Sequence, residues 1–161
     1  MIMEINKIVC ISNSQVQQWC RYLRDWNKIP VFITSDGRDS RSALYKDGTS
    51  FFIISGNMIK ITNEGFIYNR LWHEVAHLFF HDVWKPWDIQ YEFRADLIAS
   101  AATSRNLSLS RLYALKKEAI DRDARELIEK RLDNLYKAPN TYSKESALYM
   151  LNSLKPVTVL R

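Results

Sequence analysis

The chain has 161 residues, of which 47% are hydrophobic and 25% are charged. This balance excludes a disordered chain and is typical of one globular domain, or of one domain with a small appendage. The net charge is +5, but residues 105–137 mix 9 Lys/Arg with 6 Asp/Glu. Such mixing is typical of solvated helices and disfavours direct nucleic-acid binding.

The sequence has neither a secretory signal pattern nor an apolar run of the ~20 residues that a membrane span requires. Its two cysteines, Cys10 and Cys20, do not form a CxxC pair. We therefore expect a cytoplasmic protein with reduced thiols and no membrane partner.

The first part of the chain is predicted to contain a helix followed by strands. Apolar residues at helical spacing predict a helix over residues 14–26. Residues 31–34 form a strand candidate, followed by a loop as far as Ser42. Residues 50–54 and 58–62 are stronger strand candidates, and the Ser-Gly-Asn sequence between them favours a tight hairpin.

From about Asn69 the apolar spacing becomes helical. Pro86 interrupts this helix, and Asp88 is a suitable N-cap for the next one. Helical spacing returns over residues 108–137 and again over residues 143–154. Because the strands precede a run of helices and do not alternate with them, the sequence predicts an α+β fold.

The sequence His73-Glu74-Val75-Ala76-His77 matches the pattern HExxH. Residues four apart lie on one helix face, so both imidazoles can bind one metal ion at Zn–N distances of ~2.0–2.1 Å. Glu74 is then the general base that takes a proton from the attacking water. A chance match is the competing interpretation. However, all three histidines of the chain, at positions 73, 77 and 81, lie in this segment, and buried imidazoles need polar partners.

A catalytic zinc ion needs a third protein ligand. His81 continues the four-residue spacing, but eight residues of helix rise ~12 Å, so one ion cannot reach both His73 and His81 without an intervening turn. Glu92, on the following helix, is the better candidate. Asp96 follows one helical turn later and can accept the outer N–H of a ligand histidine. The competing interpretation is that Glu92 and Asp96 are two solvated acids.

These groups together predict a zinc metallopeptidase. Zinc lowers the pKa of its water towards ~7 and polarises the scissile carbonyl, while Glu74 carries the proton to the leaving amine. Tyr68 and Tyr91 are candidates for stabilising the oxyanion, and each also fits a simple packing role.

The run from His73 to His81, followed by Glu92-Phe93-Arg94-Ala95-Asp96-Leu97-Ile98-Ala99, resembles the ImmA/IrrE family of metallopeptidases. The resemblance covers about residues 45–102. It implies a minimal zincin-like domain, in which a small antiparallel or mixed sheet packs on the HExxH helix and on the Glu-bearing helix. It also implies zinc held by His73, His77 and Glu92, a catalytic Glu74, and a helix-turn-helix DNA-binding repressor as the protein substrate. In place of the Leu-Leu-Met-Pro-like segment common in the family, this chain has residues 99–103, Ala-Ser-Ala-Ala-Thr.

We expect residues 1–107 to form the metallopeptidase domain and residues 108–161 to form a helical extension packed on it. The alternative function is a non-catalytic zinc-containing module that binds a partner protein through its helical C-terminal region. Glu74 favours the enzyme, because a binding module has no need of a general base.

Overall fold

The computed structural model describes residues 8–11, 29, 31–34, 41–44, 49–55 and 64–156. The predicted helix over residues 14–26 lies outside these ranges. The strand predicted over residues 58–62, the second strand of the predicted hairpin, also lies outside these ranges.

Helices make up most of the described chain, and a short 3-10 turn at Asp82–Trp84 separates the first two. In chain order the helices are α1 Glu64–Phe79, α2 Ile89–Ala102, α3 Arg105–Glu118, α4 Arg122–Lys137 and α5 Lys144–Ser153. The segment predicted as helical over residues 108–137 is thus two helices, because the Asp121 side chain accepts a hydrogen bond from the Asp123 N–H and caps α4. No helix in this part of the chain is both long enough and apolar enough to cross a bilayer.

Short strands pair beside the helices. They are β1 Ile8–Ile11, β2 Val31–Thr34, β3 Arg41–Leu44, β4 Thr49–Ser55 and β5 Lys155–Pro156. Their order is β1-β2-β4-β3, with β5 also beside β4. β4 runs parallel to β2 and β5, whereas the β1–β2 and β3–β4 pairs are antiparallel.

The predicted strands over residues 31–34 and 50–54 are present as β2 and β4. The loop predicted as far as Ser42 is wrong for its last residues, which belong to β3. In the β3–β4 pair, Ala43 lies opposite Phe51, so an antiparallel neighbour of β4 comes from the preceding segment of the chain.

The predicted α+β class is wrong for residues 64–154, the continuous stretch that carries the candidate site. This stretch is 77% helical and contains no strand. The physical reason is that the apolar residues of α1 and α4 fall on one side of a helix, and these helices bury that side largely against other helices. In particular, α1 packs against α2, α3 and α5 and also contacts β3 and β4, so helices supply most, but not all, of the neighbours that fix the site.

The core of this helical region is centred on α1. Its apolar residues Leu71, Trp72, Val75 and Ala76 are buried, whereas Phe79 and Phe80 at the end of the helix are only partly buried. On α2, Ala95 and Ala99 are fully buried in the same core. These small side chains allow α1 and α2 to approach closely. Side chains of the two helices can therefore come into contact.

Asn69 connects α1 to α3 through buried hydrogen bonds. Its Nδ2 donates to Thr103 Oγ1 (3.0 Å) and to Ser108 Oγ (2.8 Å), and its Oδ1 accepts from Arg111 Nε (2.7 Å). A buried amide satisfied in this way fixes the position of α3 on α1.

Candidate metal centre

Helix α1 presents His73 and His77 one turn apart, and α2 brings Glu92 to the same point. His73 Nε2 lies 3.0 Å from His77 Nε2 and 3.1 Å from Glu92 Oε2. His77 Nε2 lies 3.3 Å from Glu92 Oε1. The two helices therefore bring together the three side chains that the sequence predicts as ligands. One ligand atom from each lies within 4.8 Å of the others.

The spacing of these atoms fits a tetrahedral metal ion. With Zn–N bonds of ~2.0–2.1 Å, tetrahedral geometry separates neighbouring ligand atoms by ~3.3 Å. The two imidazole nitrogens are 3.0 Å apart, and each lies within 3.3 Å of one oxygen of the Glu92 carboxylate, Oε2 for His73 and Oε1 for His77. Two nitrogens and one carboxylate also form a set that occurs in catalytic zinc sites, where a fourth position stays open.

Each histidine is fixed at its outer nitrogen by a carboxylate. His73 Nδ1 lies 2.9 Å from Asp96 Oδ1, and His77 Nδ1 lies 3.0 Å from Asp82 Oδ2. A carboxylate oxygen accepts a hydrogen bond, so each Nδ1 carries a hydrogen, and it is each Nε2 that faces inward and offers its lone pair once it holds no proton. Two such lone pairs and the Glu92 carboxylate converge, and this arrangement favours a cation at their centre.

The pKa values of His77 and Glu92 are both shifted in the direction that favours the charged form of the side chain. Burial lowers the pKa of His77, but the hydrogen bond with Glu92 and the negative charges of Glu74 and Glu92 outweigh it and raise the pKa to about 9. Burial raises the pKa of Glu92, whereas hydrogen bonds with His73 and His77 hold it well below its usual range. Glu92 is therefore an ionised carboxylate, as a ligand must be.

Asp96 is fully buried and is held by a cation from the C-terminal part of the chain. Arg131 on α4 donates from Nε to Asp96 Oδ2 and from Nη2 to Asp96 Oδ1, both at 2.8 Å. The same Nη2 lies 3.8 Å from Glu92 Oε2. Burial raises the pKa of Asp96, but the charge and hydrogen bonds of Arg131, together with His73, lower it well below the ordinary value. The interpretation of this carboxylate as a solvated acid is wrong.

Sequence reasoning missed Asp82 and Arg131. Asp82 is buried and is held by Arg94 Nη2 at 2.5 Å, and the turn that carries it begins at His81 in the left-handed conformation (φ 58°). An acid directly after a helix end is a weak signal for such a role. Arg131 gave no local signal, because it lies 35 residues from Asp96. The basic residues of positions 105–137 were expected to lie on solvated helix surfaces. Arg122 is exposed in this way, whereas the Arg131 side chain is mostly buried.

His81 is exposed at the end of the helix and lies outside the group of ligand atoms. The left-handed conformation, which glycine adopts most readily, is taken here by His81, and it directs the chain towards the turn that carries Asp82.

Glu74 lies beside the ligands at the side of a cleft of about 290 Å³. It is 5% exposed, and its Oε1 lies 3.0 Å from Arg70 Nε one helical turn earlier. Tyr91 also lines this cleft. Tyr68, by contrast, is buried edge-on against Trp72, with ring centroids 6.3 Å apart. Of the two tyrosines considered for the oxyanion, only Tyr91 borders the cleft.

Comparison of the chain with protein-family models, with curated proteins and with solved structures finds no match. The resemblance to the ImmA/IrrE family remains a prediction based on the motif residues. The case for a function therefore depends on the geometry and chemistry of this centre.

Proposed function

We propose that this protein is a zinc-dependent peptidase that hydrolyses a peptide bond of an intracellular protein. His73, His77 and Glu92 are the proposed ligands, and Glu74 is the proposed general base. The observation that carries the proposal is the approach of two imidazole nitrogens and a carboxylate to within 3.3 Å of one another, with a further carboxylate behind each ring.

The donor set supports zinc over magnesium or calcium, because those ions prefer oxygen ligands. When bound, such a cation polarises a substrate carbonyl and makes a water molecule acidic enough to react near neutral pH. Proton transfer and the orientation of the ligands are the proposed roles of the protein's side chains.

Glu74 is placed to move the proton. Its carboxylate borders the same cleft as the three ligand side chains, so it can accept a proton from the attacking water and pass it to the leaving amine. Arg70 pairs with Glu74, which favours the ionised form that a base requires. Asp96 and Asp82 keep the ligand rings in the orientation that directs Nε2 inward.

The resemblance of residues 73–99 to the ImmA/IrrE family extends the proposal to a DNA-binding repressor as substrate. This extension depends on the motif residues alone, whereas the peptidase chemistry also has the support of the side-chain geometry.

The proposal is tested by comparing the wild type with Glu74→Gln, and with Glu126→Gln as a matched control at an exposed position of α4. Each purified protein is analysed for zinc and then incubated with a mixed peptide library, whose products are identified by mass spectrometry. We expect about one zinc per chain in all three proteins, because Glu74 is not a proposed ligand. We also expect cleavage to fall about 10²- to 10⁴-fold in Glu74→Gln only.

Two results would count against the proposal in different ways. Cleavage by Glu74→Gln at the wild-type rate would refute the general base. Stoichiometric zinc without cleavage by any of the proteins would favour the non-catalytic binding module instead.

A further inference from the structure

Large apolar side chains are exposed on the turn between α1 and α2. Within five residues, Val83 is 42% exposed, Trp84 is 52% exposed and Trp87 is 64% exposed. Single exposed apolar residues are ordinary, but a group of them beside a cleft marks a surface that another molecule covers.

This turn is held in one conformation by hydrogen bonds at both ends. The Trp84 N–H donates to the His81 carbonyl (3.1 Å), and Lys85 Nζ donates to the Phe80 carbonyl (2.8 Å). At the other end, the Asp88 side chain accepts from the Gln90 N–H at 2.8 Å and caps α2. The exposed rings are therefore carried by a fixed segment, which is a property of preformed binding sites.

Two of the three exposed residues line the same cleft as the candidate metal centre. Val83, Trp87 and Tyr91 border it together with Glu74 and the ligands, whereas Trp84 is not among the lining residues. The volume of about 290 Å³ lies near the lower limit of roughly 300 Å³ for small-molecule sites. A cleft of this size accepts a short peptide segment with one or two side chains.

The charged side chains that border the cleft have partners within the protein. Glu74, Asp82 and Glu92 all border the cleft. The two cations beside them already have partners, since Arg70 pairs with Glu74 and Lys85 bonds to a backbone carbonyl and lies 3.7 Å from Asp82. The charged groups that border the cleft are thus paired within the protein, which leaves the apolar surfaces of Val83 and Trp87 for a substrate side chain.

We propose that Val83, Trp87 and Tyr91 form an apolar subsite, which binds a large aliphatic or aromatic side chain of the substrate residue next to the scissile bond. This inference rests on the proposed peptidase function and adds the class of substrate that the site selects. Trp87 is a specificity-determining residue in this scheme and not a catalytic one.

Two probes with the same metal-binding group test the subsite by binding alone. N-acetyl-phenylalanine hydroxamate and N-acetyl-glycine hydroxamate are titrated into the zinc-loaded protein in a calorimeter. We expect the phenylalanine probe to bind about 10- to 100-fold more tightly, since full burial of a large apolar side chain has an effect of that size. In Trp87→Ala this preference should fall to about threefold or less, with the affinity for the glycine probe unchanged.

Trp84→Ala is the matched control, because it removes an equally large exposed ring on the same turn that does not line the cleft. Trp87→Phe should retain most of the preference. In the peptide library, the wild type should cut beside large apolar residues.

Equal affinities of the two probes for the wild type, or a full preference in Trp87→Ala, would overturn the subsite and leave the metal centre standing. Failure of the protein to bind zinc, or of the glycine probe to bind the zinc-loaded protein, would refute the proposed function and the subsite with it.

Discussion

Replacing Arg131 by Met tests whether helix α4 supports the candidate metal centre through Asp96. Met keeps much of the length and the apolar stem of Arg131 but removes both hydrogen bonds to Asp96, each 2.8 Å long. Asp96 would keep the bond to His73 at 2.9 Å and the weaker approach of Arg111 Nη2 at 3.6 Å. A fully buried carboxylate would thus lose its main source of compensating charge.

The size of the effect follows from this burial. Removing one partner of a buried ion pair destabilises a protein by about 3–5 kcal/mol, because the other charge stays buried. At about 2–4 °C per kcal/mol for a chain of this length, the melting temperature should fall by roughly 6–20 °C. Because Asp96 also orients His73, zinc affinity should fall by about 10- to 100-fold.

The measurements are thermal unfolding of the metal-free protein and zinc titration against a competing chelator. Arg122→Met is the control, because Arg122 lies on the same helix with its side chain 88% exposed and pairs only at the surface with Glu126. The double variant Arg131→Met/Asp96→Asn should recover part of the lost stability, since it removes the buried charge as well. If Arg131→Met behaves like the Arg122 control in both measurements, Arg131 does not compensate the buried charge of Asp96.

Two further predictions concern the carboxylates behind the histidine rings. Asp82→Asn should weaken zinc binding by about 10- to 100-fold, because His77 loses the charged acceptor at its Nδ1. In the same chelator titration Asp133→Asn, at a mostly exposed position, should match the wild type. The pKa of Asp96 is lowered on folding, so its stabilising effect is present above its unfolded pKa of about 3.9 and is lost as the pH falls below that value. Denaturant unfolding of the metal-free protein should therefore show a larger loss of stability between about pH 5 and pH 2.5 for the wild type than for Asp96→Asn, and equal losses would contradict this.

The sequence predicted the helices around the site better than their start and end points. The helical spacing of apolar residues from about Asn69 identified α1, but the helix begins five residues earlier, at Glu64. Gly65 is the second residue of α1 and is buried. A glycine ahead of the apolar residues is an ordinary turn signal, so the local sequence did not place the start of the helix. The wrong fold class has a similar origin, since local strand signals carried no information about which elements cover α1.

Within the candidate site, the predictable features are those set by helical periodicity. The spacing of four residues between His73 and His77, and between Glu92 and Asp96, places each pair on one helix face before any tertiary contact is known. Asp82 depends on the left-handed backbone of His81, which sequence alone does not signal for a residue other than glycine. Arg131 depends on how α4 packs against α2, a contact between distant parts of the chain that has no local pattern.

The carboxylates behind His73 and His77 have a consequence for how quickly the centre can take up an ion. Both rings are immobilised by bonds of 2.9 and 3.0 Å, so the loss of side-chain freedom occurs when the chain folds and not when a cation arrives. Uptake then requires displacement of protons and of the water around the ion, with little rearrangement of the protein. The rate of loading should accordingly vary with pH and with the water-exchange rate of the metal.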